Sequence, residues 1–422
     1  MKGAGLLLSV VWLFVGTAAL GQSPESQNPE GATPRPGDAP KAVPDVPGGF
    51  LDSLQLNTKY FTLRPGLAVL GDYTWFTQNA ASLAQVGEQE NKAEFRSFRV
   101  ILHGTFRLFI DWQYLVSYEY KGFDHNDDDP DWAPSDVYIQ TRIPWLGQLR
   151  LGRQKESFVY EMVGDAANLP QDERLMSPFF VSRNTGISLS NTFLCEHATW
   201  TIGWFNDWWT KGQSFHGSGN DLAARVTFLP FDDDSGKHYL HLAVAGRYYG
   251  GDDDTLRFRG KPESNVADYF VDTGNLHADH AWLLGLEALY ANGPFSVLAE
   301  YDRAWVPSAS LGDPSFSGYY VTVSWVFTGE PRPYDKKVAY ARRPPVAKHR
   351  WGALELVGRY GHLDLDGGAV RGGRLDKWYG GINWFATRRW KFGFGYGNAD
   401  LDRSNISDGR TNIFLTRIQW IF

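Results

Sequence analysis

Residues 411–422, Thr-Asn-Ile-Phe-Leu-Thr-Arg-Ile-Gln-Trp-Ile-Phe, constrain the fold of this chain more than any other stretch. Counted back from Phe422, alternate positions hold Trp420, Ile418, Thr416 and Phe414. The positions between hold Ile421, Gln419, Arg417, Leu415 and Ile413. A period of two belongs to a strand whose faces meet different surroundings. One face here is largely apolar and aromatic, and the other carries an arginine and a glutamine. Such a strand, ending on an aromatic residue with no polar tail, suits the closing strand of an outer-membrane β-barrel. Its apolar face would meet lipid and its mixed face a lumen.

The same alternation recurs upstream. Trp112, Tyr114, Val116, Tyr118 and Tyr120 stand against Gln113, Leu115, Ser117 and Glu119, and Trp390, Phe392, Phe394 and Tyr396 against Lys391, Gly393, Gly395 and Gly397. About sixteen such segments follow one another, an even number as bacterial barrels require. The first is expected over 66–78 and the last four over 351–364, 376–386, 389–400 and 411–422. The fold class is therefore all-β, a closed antiparallel transmembrane barrel. An arginine facing lipid at the bilayer midplane costs about 2–4 kcal/mol. Arg99, Arg225, Arg247, Arg359 and Arg417 each oppose the apolar parity of their own strand, so they are expected to point inward.

Composition agrees. The 17 Trp, 20 Tyr and 27 Phe can furnish girdles at both membrane interfaces. A formal charge of -7 argues against a nucleic-acid partner. Residues 1–21 read as a signal peptide, with Lys2, an apolar run shorter than the ~20 residues of a spanning helix, and Ala19-Leu20-Gly21 as a cleavage site. Residues 22–49, rich in Pro, Gly, Ser and Glu, read as a disordered periplasmic leader. That leaves 50–422 for the barrel.

Connections alternate in length. Those expected at 79–93, 122–134, 154–184, 207–218 and 251–279 are long and fall on the outer side, whereas Asn292-Gly293 is a tight hairpin turn. The third outer loop, 154–184, is expected to fold inward. Its segment Met176-Ser177-Pro178-Phe179-Phe180 suits packing against a wall. One inner connection breaks the pattern: 328–350 is long and holds seven basic residues against Glu330 and Asp335. It reads either as a flexible turn or as a segment that rises into the lumen, bringing Lys336, Lys337, Arg342 and Arg343 to the inner mouth.

Several stretches resemble one known family. Gly152-Arg153-Gln154-Lys155-Glu156-Ser157-Phe158 is similar to its Gly-x-x-Lys-Glu-Pro-Phe stretch, with Ser157 where proline is usual. Arg183-Asn184-Thr185-Gly186 resembles its Arg-Asn-x-Gly turn. The blocks beginning at Ser324, Gly352 and Gly381 resemble its C-terminal blocks. The family is the phosphate-selective porin O and P family. The resemblance implies a sixteen-stranded outer-membrane channel, a homotrimer surrounded by lipid, that lets small anions such as phosphate or polyphosphate cross by diffusion. No cofactor or metal is implied.

Anion selectivity needs basic side chains at a constriction. Candidates along the wall are Arg99, Arg142, Arg225, Arg247, Arg359 and Arg417, and in the third loop Lys155, Arg174 and Arg183. Wall arginines can equally be braced by lumen acids such as Glu119, Glu300 and Glu355. The third loop also carries Glu156, Glu161, Asp165, Asp172 and Glu173, so its own charge is negative. Two other readings stay open. A general or sugar-permeable porin would use lumen aromatics such as Phe205, Tyr249 and Tyr320 for stacking. A barrel enzyme would need a nucleophile–base pair, but no Gly-x-Ser-x-Gly elbow occurs and His277 and His280 fall in a loop. Aspartate runs at 127–129, 232–234 and 252–254 lack the spacing of a calcium loop and read as solvated tips.

Overall fold

The computed structural model describes residues 54–422 apart from 124–129, 207–219, 234–235, 252–253 and 347–348. The expected signal peptide and leader lie outside the described residues, as does the first aspartate run. The wall is built from sixteen strands: β1 Phe61–Gln78, β2 Lys92–Arg107, β3 Asp111–Tyr120, β4 Trp132–Ile143, β5 Gly147–Gln154, β6 Asn184–Phe193, β7 Ala198–Asn206 and β8 Asp221–Asp232, followed by β9 His238–Gly250, β10 His280–Asn292, β11 Phe295–Trp305, β12 Ser315–Val326, β13 Ala353–Gly367, β14 Val370–Phe385, β15 Trp390–Arg403 and β16 Ile406–Ile421. Each pairs antiparallel with its neighbours in sequence. β1 pairs with β16 from Ala68↔Ile421 to Gln78↔Thr411, which closes the sheet and removes its free edges.

The pleat sorts the side chains as the alternation requires. On β16, Arg417 and Gln419 are buried inside while Ile418 is exposed on the outer face. Outward aromatics gather in two bands. Trp390 lies against Trp420 and Phe392 near one rim, and Tyr360–Trp378 and Trp75–Phe414 pair nearer the other, at 4.6 and 5.3 Å.

Two features differ from the sequence expectation. β1 begins at Phe61 and runs through Pro65: below Leu67, which bonds Phe422 through the backbone, β16 has ended, and Leu56–Asn57 pair only with Leu63 and Thr62, so β1 is an edge at Pro65. An edge leaves a nitrogen without N–H unpenalised. The outer ends of β13–β16 extend beyond the expected spans, so their connections are two-residue turns instead of long loops. Ser404 and Asn405, both at positive φ, make one of them. Opposite charges pair along these extensions, Arg374 facing Asp364 on one side and Asp402 on the other.

Three connections turn inward: the third outer loop (155–183), the fifth (251–279) and the inner insert (327–352). Phe158, Met162, Met176 and Phe179 of the third loop join Phe258 and Phe270 of the fifth and Phe316, Tyr320 and Leu363 of the wall in one buried cluster. Each such side chain contributes about 1.5–3 kcal/mol by leaving water. Wall glycines make room for the third loop. A Cβ at Gly361 would lie 2.2 Å from Leu175 Cδ2, and one at Gly395 would lie 2.5 Å from Asp172 Oδ2. The insert is not a flexible turn: Arg332 forks onto Glu355, and Tyr340 bonds Asn168 of the third loop at 3.1 Å.

Candidate functional site

The third loop sits where it does because its acids meet wall arginines. Glu156 pairs with Arg247 at 2.8 Å, and Glu161 with Arg359 at 2.7 Å. Glu173 pairs with Arg96, and Asp172 accepts from Tyr379 at 2.8 Å while its backbone oxygen accepts from Arg417. Arg96 reaches the lumen through a β-bulge: Ser97 pairs with Leu70 and Phe95 with Gly71, so Arg96 is the extra residue. Burial works to raise the Glu173 carboxyl, but Arg96 together with Arg174 and Arg417 holds it down at about 2. Of the five acids in this loop, only Asp165 remains beside open space without a wall arginine; it pairs with Lys155 at 2.8 Å.

What stays open is a cavity of about 500 Å³ bounded by β1–β7, the third loop and the insert. Ten basic side chains line it: Arg96, Arg99, Lys121, Arg150, Arg153, Lys155, Arg174, Arg183, Lys337 and Arg342. Four acids do so: Glu119, Asp136, Glu156 and Asp165. Arg99 bonds Glu119 at 2.7 Å, and Arg183 bonds Asp136 at 3.1 Å. Arg150 lies over the Tyr138 ring at 4.3 Å. Burial pushes the Lys155 amine down to about 8 against the pull of Asp165, and Lys155 in turn holds Asp165 well below the usual carboxylate range. Burial likewise lowers Arg174, to about 10. A basic surplus in a recess with low-dielectric walls focuses a field that attracts anions.

The residues singled out from sequence divide. Arg99, Lys155, Arg174 and Arg183 come together at the cavity. Arg225, Arg247, Arg359 and Arg417 face the lumen but are locked in ion pairs: Arg225 with Glu287, Arg247 with Glu156 and Asp221, Arg359 with Glu161 and Glu263, and Arg417 with Asp72. They brace the wall and the infolded loops. Arg142 is exposed near the inner end of β4, with no ion pair among the described residues. In the insert, Lys337 and Arg342 line the cavity, whereas Lys336 ties to Asp232 and Arg343 donates to the Arg388 carbonyl. The Asp232 carboxylate, with its side chain only 2% exposed, is therefore an anchor and not a solvated tip.

Sequence parity missed three arginines. Arg150 opposes Leu149 and Leu151 and could have been found by the rule applied to the others. Arg96 shares the parity of Phe98, and only the cost of placing it in lipid hints at a bulge. Arg153 shares the parity of Leu149 and Leu151, and no local signal marks it. The aromatics offered for sugar stacking, Phe205, Tyr249 and Tyr320, are all buried, Tyr249 and Tyr320 in the cluster with the infolded loops. His280 packs against Tyr248 and Trp282 on the outer face. Among the described residues no group of three or more His, Cys, Asp or Glu is placed to hold a metal ion.

Comparison with known proteins places this geometry. The family described as "Phosphate-selective porin O and P" matches residues 68–422. Porin O of Pseudomonas aeruginosa is 22% identical over 86% of this chain and 89% of its own length. Among solved structures, OmpT of Vibrio cholerae superposes with a TM-score of 0.57 at 9% identity, covering 87% of this chain and 100% of that one. An anion-selective porin from Comamonas acidovorans does so with a TM-score of 0.53 at 12% identity, over 86% of this chain and 100% of that one.

Proposed function

The chain belongs to the phosphate-selective porin O and P family, and on that premise we propose that its cavity is the narrow part of an outer-membrane pore through which small anions diffuse, phosphate and polyphosphate among them. One observation carries the reading: Glu156, Glu161 and Glu173 of the third loop pair with wall arginines, and ten basic side chains stand against four acids around the open space. A channel, not an enzyme, is what family and barrel together support. OmpT of Vibrio cholerae, which shares the fold, has been described in a trimer form, and this supports a homotrimer.

Single channels in planar bilayers test the proposal. Under a potassium chloride gradient the reversal potential should show anion preference. The preference should be strongest near 0.1 M salt and fade toward 1 M, as the screening length shrinks from about 10 Å to about 3 Å. Phosphate or polyphosphate, and not oligosaccharide, should compete with chloride. A cation-preferring channel, or a folded barrel that never conducts, would overturn the reading.

A further inference from the structure

Away from the cavity, the inner rim over β13–β16 carries a charge pattern of its own. Arg350 and Arg388 each lie three residues beyond the last ladder pair of their strands, Ala353↔Phe385, and so are neighbours on the rim. Both are exposed, with no ion pair among the described residues. Thr387 Oγ1 accepts from the N–H groups of Arg389 and Trp390, both at 3.1 Å, which leaves Arg388 at the tip of its turn. Residues 349–354, 380–392 and 413–422 hold no acidic side chain, and Glu355 is buried. The other inner hairpin turns are neutral or have an acid in or beside them, such as Asp111, Glu196 and Asp233. Indoles come next along the strands. Trp351, Trp384 and Trp390 are exposed on the outer face, and Trp384 donates its indole N–H to the Trp351 carbonyl at 2.7 Å, which pins the start of β13 to β14. The indole N–H groups of Trp351 and Trp390 meet no acceptor among the described residues. Nearer the membrane centre follows a row of paired, exposed apolar side chains, Leu356↔Ile382↔Phe394. Guanidinium, indole and hydrocarbon thus succeed one another from the rim inward.

We propose that this face binds an anionic glycerophospholipid of the inner leaflet, phosphatidylglycerol in class, with its phosphate at Arg350 and Arg388 and its acyl chains on Leu356, Ile382 and Phe394. Guanidinium groups match phosphate oxygens, and exposed indoles supply further donors at headgroup depth. The lack of acids on this rim favours a lipid of net negative charge, because the cationic group of a zwitterionic lipid would find no partner and two repelling arginines. The apolar row favours a lipid over free phosphate, which would gain nothing from it. The site lies on the lipid side of the wall, apart from the passage, so it does not depend on which solute crosses.

The test reconstitutes the full-length channel in vesicles of equal phosphatidylglycerol and phosphatidylcholine. The protein is released in mild detergent and weighed intact by native mass spectrometry, and the first retained lipid is identified by class. The wild type should retain phosphatidylglycerol in preference. An arginine near an anionic lipid surface is worth about fivefold in binding. Arg388→Gln alone should therefore cut the ratio of retained phosphatidylglycerol to phosphatidylcholine about fivefold, and Arg350→Gln with Arg388→Gln about twentyfold. Arg350→Lys with Arg388→Lys keeps the charge and should keep most of the preference. Chloride conductance at the wild-type level shows that each variant barrel is folded and inserted. Inorganic phosphate added at constant ionic strength should leave the ratio unchanged. A wild type that retains the two lipids equally, or a double glutamine variant with the wild-type ratio, would overturn the inference. So would a preference erased by inorganic phosphate, which would assign the arginines to the free anion.

Discussion

Arg417 and Lys155 face the same lumen and do different things there. Arg417 is fully buried, forks onto Asp72 at 2.7 and 2.6 Å, and donates to the backbone of Asp172. Removing one member of such a pair leaves the other charge buried and alone, at a cost of about 3–5 kcal/mol. Arg417→Ala should therefore lower the unfolding free energy of the barrel by that measure, read as a lower urea midpoint at unchanged slope, and the reversal potential should move far less than with a change at Lys155. Lys155 lines the cavity, and burial pushes its amine down to about 8. A lowered amine is charged below that pH and neutral above it. Anion preference should then fall as pH rises from 7 to 9, and Lys155→Gln should flatten that dependence. A profile unaltered by Lys155→Gln would place the titrating group elsewhere.

At the scale of elements, the third loop and the insert work as one body inside the wall. The loop brings apolar side chains and acids, the wall supplies glycines to admit them and arginines to hold them, and the insert closes the space from below through Arg332, Tyr334 and Tyr340. The insert's basic residues accordingly have two fates. Lys336 bonds Asp232, while Lys337 and Arg342 border the cavity. Neutralising Lys337 and Arg342 together should lower anion flux at low ionic strength, with the deficit vanishing as salt screens it. Neutralising Lys336 and Arg343 should loosen the insert without that salt signature. Equal effects from the two pairs, read as conductance against salt, would mean that position around the cavity does not matter.

The whole molecule is acidic, at a formal -7, yet it encloses a basic recess. Net charge could not reveal this, because it sums what the fold separates. The sequence by itself determined the closed barrel, the inward parity of Arg99 and Arg417, the closing role of β16 and the length of the inner connection after β12. All of these follow from the two-residue pleat and from turn chemistry, which are local and therefore legible along the chain. Only the tertiary structure decided which cations are free. The third loop reads as acidic and unsuited to anions, but Glu156, Glu161, Asp172 and Glu173 are consumed by partners on β2, β9, β13, β14 and β16. Arg96 enters the lumen through a bulge that strict alternation would not allow. Arg153 lines the cavity with its Nη1 buried and unpartnered. Bonds of this kind between the third loop and the wall join residues up to 245 positions apart. It depends on where the loops come to rest inside the wall, and no local period in the sequence encodes that.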